Sequence, residues 1–178
     1  MHKTFLTIVA LGVFLQLSFS QIIDNNVKFG YRPAQNRKID VIIIHSVFNN
    51  SGGEKYDKEL IIKQFAHYGV SAHYLIGRQG DIYCLVDEKN VAFHAGKSLL
   101  PDGRTGTNTC SIGIELMCTF TEPVTEAQMQ SVVWLTKDIR SRHKIKYVLR
   151  HSDIAPGRKT DPWNFDWELY NKLIADTN

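Results

Sequence analysis

The feature that most constrains the fold is an unbroken run of β-branched residues, Val41-Ile42-Ile43-Ile44. Such a run is typical of a strand buried on both faces, because neither face shows the polar alternation of a strand that meets water. Strands of this kind occur mainly in α/β domains, where helices cover both sides of the sheet. The run therefore predicts the central strand of an α/β fold, and His45 follows it directly.

The other segments predict a single α/β domain with a central mixed β-sheet flanked by helices. Apolar residues at helical spacing predict a helix at 58–68, and a capping box that starts at Thr125 predicts another. Two β-rich runs around Gln79-Gly80 predict a hairpin. Further periodic runs predict two strands and a helix at 111–117, 147–149 and 167–175. A chain of 178 residues has room for one such domain.

Residues 1–20 have the layout of a secretory signal peptide. A short positive end precedes an apolar stretch, and Ser18 and Ser20 stand at the −3 and −1 positions of a cleavage site. The stretch is shorter than the roughly 20 residues that a membrane-spanning helix needs, which favours cleavage over an uncleaved anchor. We therefore predict a mature domain at 21–178, a secreted or periplasmic location and no stable membrane anchor after cleavage.

Charge and cysteine content add two expectations. The formal net charge is +3 and charged residues are mixed along the chain, which gives no reason to expect nucleic-acid binding. Cys110 and Cys118 flank the predicted strand at 111–117, so they would lie about 26 Å apart and could not pair. Cys84 could meet either of them, and we expect one disulfide at most.

Two histidines stand where α/β sheets place their functional sites. His45 and His151 each follow a predicted strand closely, and Pro156-Gly157 predicts a turn that brings Asp161 back towards His151. Two imidazoles and a carboxylate suit Zn²⁺, with a fourth position left for water. On spacing alone, this zinc site at the strand ends and ordinary hydrogen-bonded histidines are about equally favoured, since no compact HExxH-type motif is present.

Several segments in a fixed order carry a family resemblance: Ile44-His45-Ser46, 71–76, 92–96, Asn108 with 111–116, and 151–162. Together they resemble the N-acetylmuramoyl-L-alanine amidases of the zinc amidase type 2 family. That family includes bacterial anhydromuropeptide amidases, a phage lysozyme and the animal peptidoglycan recognition proteins. The match covers roughly residues 40–168, and its last segment, which is the most specific, is similar to the anhydromuropeptide amidase branch.

The resemblance implies a chemistry for five residues. His45, His151 and Asp161 would hold Zn²⁺, Glu115 would act as the general base towards the attacking water, and Lys159 would stabilise the oxyanion. The substrate would be the amide bond between N-acetylmuramic acid and L-alanine in peptidoglycan or a muropeptide. The residues agree with these roles, because a carboxylate beside a metal can take the proton of the attacking water.

Three further residues are expected to border the substrate. The resemblance places His94 and Asn108 in loops around the site, and the planar guanidinium of Arg158 suits a peptide carboxylate. Gly113, on the same strand face as Glu115, is expected to leave space beside it.

Two other functions stay open at this point: a module that binds peptidoglycan without cutting it, and a zinc enzyme that cuts another amide. The presence of all three metal ligands together with Glu115 and Lys159 favours the amidase.

Overall fold

The computed structural model describes residues 21–175, which form one sheet of six strands, a separate pair of short strands and four helices. The strands are β1 (Ile22–Asp24), β2 (Tyr31–Arg32), β3 (Val41–Val47), β4 (Tyr74–Ile76), β5 (Ile82–Cys84), β6 (Val91–Ala92), β7 (Ser111–Met117) and β8 (Tyr147–Arg150). The helices are α1 (Lys58–Tyr68), α2 (Glu126–Arg142), α3 (His151–Ile154) and α4 (Trp167–Ala175).

The main sheet is mixed, with the strand order β1-β5-β4-β7-β3-β8. Strands β4, β7, β3 and β8 run parallel to one another, whereas β5 is antiparallel to β4. Every residue of β3 is buried, as the apolar run predicted. The predicted α/β class, with one mixed central sheet flanked by helices, is therefore confirmed.

The two faces of β3 and β7 have different roles. Alternate residues of a strand point to opposite faces, so Ile42 and Ile44 face one way and His45 the other. The isoleucine face of both strands lies in the largest hydrophobic core, together with residues of α2 and α4. The opposite face of the same strands carries His45 and Glu115, and this face holds the candidate site.

The locally encoded elements lie where the sequence predicts them. The helix at 58–68 and the hairpin are present, and α2 begins with the expected capping box. In that box, Thr125 Oγ1 accepts the Gln128 N–H, and the Gln128 side chain accepts the Thr125 N–H. β1 was not predicted as a strand, and it pairs with β5 at the edge of the sheet.

Three expectations concern disulfides and membranes. Cys84, Cys110 and Cys118 are free thiols, in line with one disulfide at most. Within residues 21–175, no helix has both the length and the apolar character needed to cross a membrane. The predicted signal peptide at 1–20 lies outside the described residues.

Candidate metal centre and active site

Strand pairing brings two functional positions to the same level of the sheet. His45 on β3 is paired in register with Glu115 on β7, and Ile44 is paired with Arg150 at the end of β8. His151 follows Arg150 directly and begins α3. Because these three strands are parallel neighbours, their carboxyl ends meet at one sheet edge, where α/β folds place their sites.

The loop after α3 returns Asp161 to this edge, as the Pro-Gly turn predicted. The Ser152 N–H donates to the Asp161 carbonyl at 3.0 Å, and Gly157 takes a positive φ of 74° within the turn. Beyond Asp161, the Trp163 N–H donates to Ser46 Oγ at 3.1 Å. The backbone that carries Asp161 is thus fixed by one hydrogen bond at Asp161 itself and by another two residues beyond it.

The side chains of His45, His151 and Asp161 converge on one point. His45 Nδ1 lies 2.9 Å from His151 Nδ1 and 3.5 Å from Asp161 Oδ2, and His151 Nδ1 lies 3.1 Å from Asp161 Oδ2. In a tetrahedral zinc site with bonds of about 2.0–2.1 Å, neighbouring ligand atoms are about 3.3 Å apart. All three residues are buried, and their spacing fits a shared metal ion.

The environment favours the protonation states that metal binding needs. Burial lowers the pKa of His45 to about 4, although its contact with Asp161 opposes the shift. Burial alone would raise the pKa of Asp161, but hydrogen bonding with His151 and His45 holds that pKa well below its usual range. Near neutral pH, His45 is therefore neutral and Asp161 is ionised, which are the forms that bind metals.

Glu115 has the properties of a general base. Burial, and after it the negative charge of Asp161, raise the pKa of the Glu115 carboxyl to about 8, while the nearby Lys159 charge opposes the shift. Glu115 Oε2 is buried and has no hydrogen-bond partner within residues 21–175. Near neutral pH the metal-free carboxyl therefore holds a proton, whereas a divalent cation bound beside it would favour the ionised form, which can take a proton from water.

A cavity of about 390 Å³ lies over this constellation. The three predicted metal ligands line it together with Glu115, Lys159 and Arg158, so the predicted metal-binding and catalytic side chains share one space.

One wall of the cavity is aromatic, a feature that the sequence analysis missed. The Trp163 ring lies 4.2 Å from Phe120 and 5.8 Å from Phe48, measured between ring centroids. Phe48 and Trp163 line the cavity, and Phe120 is 60% exposed beside them. Phe48 and Phe120 come just after β3 and β7, so the strand-end rule that singled out His45 would also have found them.

Two of the three residues predicted to border the substrate make hydrogen bonds within the protein. His94 lines the cavity, but its ring nitrogens contact His45 Nε2 at 2.9 Å and Ser111 Oγ at 3.0 Å. Asn108 Oδ1 accepts the backbone N–H groups of His94 and Ala95 at 3.2 and 2.8 Å.

Arg158 and Gly113 each have a contact that the sequence did not indicate. Arg158 lines the cavity as predicted, and its Nη2 donates to the carbonyls of Ala95 and Lys97. The space that Gly113 leaves is filled by the His94 ring: a Cβ at position 113 would lie 2.5 Å from His94 Cγ.

The fold and the site together define a class of protein: an α/β domain with a buried His-His-Asp cluster, compatible with a metal ion, at the ends of its parallel strands. Comparison with known families is more specific. Residues 35–164 match the N-acetylmuramoyl-L-alanine amidase family, and the chain belongs to that family. The resemblance seen in the sequence motifs is thereby confirmed.

Individual relatives agree with this assignment. The chain is 38% identical over 125 residues to the 1,6-anhydro-N-acetylmuramyl-L-alanine amidase AmpD of Enterobacter cloacae, an alignment that covers 68% of this chain and 66% of the relative. A selenomethionine AmpD crystal structure superposes with a TM-score of 0.75 at 30% identity and covers 88% of this chain and 96% of that one. The chain therefore spans slightly less than two thirds of the curated relative's length.

A second solved structure contains a substrate. It is the N-acetylmuramyl-L-alanine amidase AmiD from E. coli in complex with anhydro-N-acetylmuramic acid-L-Ala-D-γ-Glu-L-Lys. It matches with a TM-score of 0.66 and 33% identity, over 80% of this chain and 60% of that chain.

The prediction of a secreted or periplasmic location is wrong. The curated relatives that the chain matches include AmpD amidases, which act in the cytoplasm. The prediction depended on residues 1–20 alone, through their positive end, their apolar stretch and the serines at the −3 and −1 positions.

Proposed function

We propose that this chain is a zinc-dependent amidase that hydrolyses the bond between N-acetylmuramic acid and L-alanine in peptidoglycan or its fragments, with residues 21–178 as the amidase domain. The observation that carries the proposal is the convergence of His45, His151 and Asp161 beside the unpartnered Oε2 of Glu115. The family match, and the reaction named in the description of the AmpD relative, support the choice of substrate.

His45, His151 and Asp161 would hold the ion. Zn²⁺, when bound, supplies Lewis-acid chemistry and makes water a stronger acid. Glu115 then takes a proton from the attacking water at its free Oε2. The same carboxylic acid can later deliver that proton to the amino group of the departing L-alanine, so its protonation state is restored in each cycle.

Lys159 supplies a positive charge near the carbonyl oxygen of the amide that is cut, where negative charge develops during the reaction. Its charge reaches the Glu115 carboxyl and it lines the same cavity. In this cavity, an ammonium stabilises negative charge that develops as water adds to the carbonyl carbon.

Arg158 would bind the peptide part of the substrate. Its Nη2 is held by carbonyls of the loop at 95–97, which orients the guanidinium at the cavity while the other nitrogens keep donors to offer. The substrate in the AmiD complex contains a γ-linked D-Glu and thus a free carboxylate, which a guanidinium can bind with two parallel hydrogen bonds.

The proposal is tested by identifying the products. Wild-type protein with added Zn²⁺ is incubated with an anhydromuropeptide and with purified peptidoglycan, and the products are analysed by mass spectrometry. We expect free stem peptides with a new L-alanine amino terminus, which His151→Ala does not produce and the exposed-site control His67→Ala does.

Disaccharide products, or unchanged hydrolysis by His151→Ala, would contradict the proposal. Binding of the muropeptide without any cleavage by the zinc-loaded wild type would favour the non-hydrolytic recognition module instead.

A further inference from the structure

We propose that the two-residue segment His94–Ala95, fixed by Asn108, is the outer support that sets the orientation and tautomer of both metal-binding histidines. The inference rests on the proposed metal site. It makes His94 and Asn108 positioning residues, which act through His45 and His151 rather than through contact with substrate.

A chain of polar contacts leads from His45 away from the metal position. His45 Nε2 lies 2.9 Å from His94 Nδ1, and His94 Nε2 lies 3.0 Å from Ser111 Oγ. The Ser111 hydroxyl in turn donates to the carbonyl of Thr107 at 2.7 Å.

The far end of this chain fixes the direction of every hydrogen bond in it. The Thr107 carbonyl can only accept, so the single hydroxyl proton of Ser111 is donated to it and Ser111 Oγ must accept from His94 Nε2–H. Neutral His94 then has an unprotonated Nδ1, which accepts from His45 Nε2–H. A neutral His45 with its proton on Nε2 presents a bare Nδ1 lone pair to His151 and Asp161.

The second histidine is supported by the next residue of the same segment. His151 Nε2 lies 3.2 Å from the carbonyl of Ala95, which also can only accept. His151 therefore has its proton on Nε2 and its lone pair on Nδ1, like His45. Two nitrogen lone pairs and a carboxylate oxygen then face one another within 3.5 Å, an arrangement that a shared cation stabilises.

Two features keep the segment in place. Asn108 Oδ1 accepts the backbone N–H groups of both His94 and Ala95, so one side chain fixes the supports of both histidines. Gly113 on β7 lets the His94 ring lie flat against the strand, where any Cβ would overlap it. The ring therefore lies closer to the strand than any residue other than glycine at position 113 would allow.

The inference is tested by the zinc affinity of the metal-free full chain, measured by competition with a chromogenic chelator. His94→Phe keeps a ring of similar shape and removes both nitrogens, and loss of such an outer contact lowers metal affinity about 10- to 100-fold. His94→Gln, which can accept at Oε1 and donate at Nε2, should restore part of the affinity. The control His67→Phe makes the same replacement at an exposed position of α1 and should leave the affinity unchanged.

Ser111→Ala is a second variant that separates an effect on the metal site from a folding defect, because it deletes one buried hydroxyl and leaves every ring in place. We expect a smaller loss of zinc affinity in the same direction, with a melting curve that shows an intact fold. In the Co²⁺-loaded protein, His94→Phe should also shift the visible absorption bands, which report the ligand field at the metal and not global stability.

Equal zinc affinity and equal Co²⁺ spectra for wild type and His94→Phe would overturn the inference, even if the wild type is an active amidase. Conversely, a wild type that binds zinc through this support but cuts no muropeptide would leave the inference intact and overturn the proposed reaction. The two failures are therefore distinguishable.

Discussion

Glu115 occupies an environment that alters its acid–base chemistry. It lies on a rigid strand, in register with His45, and one carboxyl oxygen is buried with no hydrogen-bond partner among the described residues 21–175. An unpartnered buried acceptor costs free energy, so its persistence at the centre of the cavity agrees with a role in which a proton from water satisfies it transiently.

Glu115→Gln should therefore lower the rate of amide hydrolysis about 10²- to 10⁴-fold while zinc binding is retained, because the amide cannot accept the water proton. The measurement is kcat on an anhydromuropeptide together with the zinc content of each protein. Glu59→Gln, which makes the same change at an exposed position, should behave as wild type. Full activity in Glu115→Gln would exclude Glu115 as the base.

The raised pKa of Glu115 also predicts how stability depends on pH in the metal-free protein. The pKa is about 8 in the folded protein against 4.5 for an ordinary glutamate, so between these values the folded state binds a proton that the unfolded chain releases. The stabilisation from this group is complete below pH 4.5 and is lost as pH rises towards and through 8.

The side chain of Glu115→Gln does not ionise, so this variant does not lose stability from the group as pH rises. In chelator-treated protein, the melting temperature of Glu115→Gln relative to wild type should increase between about pH 5 and about pH 9. The lowered pKa of His45 acts on both proteins alike and cancels in the comparison. A difference in melting temperature that stays constant over this range would contradict the pKa shift.

Sequence reasoning could find the residues at the centre of the site but not those that support it. His45 was predicted from the apolar run before it, although β3 continues through it to Val47, and His151 directly follows β8. The Pro-Gly turn pointed to Asp161, so local rules and motif resemblance sufficed for these three residues. The role of His94 depends on how a loop distant in sequence lies against β7. No local pattern encodes that approach, so the hydrogen bonds that His94 and Asn108 make within the protein were not predictable from the sequence.

At the scale of elements, one face of β7 supplies three parts of the site, because alternate residues of a strand share a face. Ser111 contacts His94 Nε2, Gly113 leaves space for the His94 ring, and Glu115 is the candidate base. The intervening Ile112 and Ile114 build the core on the other face.

Gly113→Ala tests this arrangement. The new Cβ would lie 2.5 Å from His94 Cγ, so either the ring or the strand must move. We expect a loss of about 1–3 kcal/mol in the free energy of unfolding, typical of overpacking, together with weaker zinc binding. Denaturant unfolding and chelator competition measure the two effects.

Gly77→Ala is the matched control, because its Cβ would meet its nearest neighbour, Tyr83, at an ordinary 3.6 Å. If Gly113→Ala were as stable and bound zinc as tightly as Gly77→Ala, the close approach of His94 to the strand would contribute neither to stability nor to zinc binding.

Elements with strong local signals were predictable, and those stabilised by their neighbours were not. The all-buried β3 and the capped α2 are encoded by apolar runs and by the Thr125–Gln128 pair. β1 is short and mostly exposed, and it becomes a strand only by pairing with β5, so its own residues give no apolar alternation to detect.

At the scale of the whole molecule, the site joins three neighbouring strands and the loop after α3. Its candidate metal ligands come from positions 45, 151 and 161, which the unfolded chain does not hold together. An ion that binds only this folded arrangement stabilises the fold by mass action.

Zinc should consequently raise the melting temperature of the wild-type chain in a concentration-dependent way. At a free zinc concentration of 100 times Kd, the added stability is about 2.7 kcal/mol. His151→Ala removes one ligand and should show a much smaller shift over the same titration, followed by calorimetry or dye fluorescence. Equal shifts in both proteins would place the ion elsewhere.

The most direct test of the account is a zinc reconstitution titration. Metal-free protein receives increasing Zn²⁺, and cleavage of the N-acetylmuramoyl–L-alanine bond of an anhydromuropeptide is followed by mass spectrometry. We expect no cleavage without metal, a linear rise of the cleavage rate with added Zn²⁺, and saturation at about one ion per chain, as for a single three-ligand centre. Cleavage that persists in the fully metal-free protein, or no cleavage after zinc saturation of the folded chain, would contradict it.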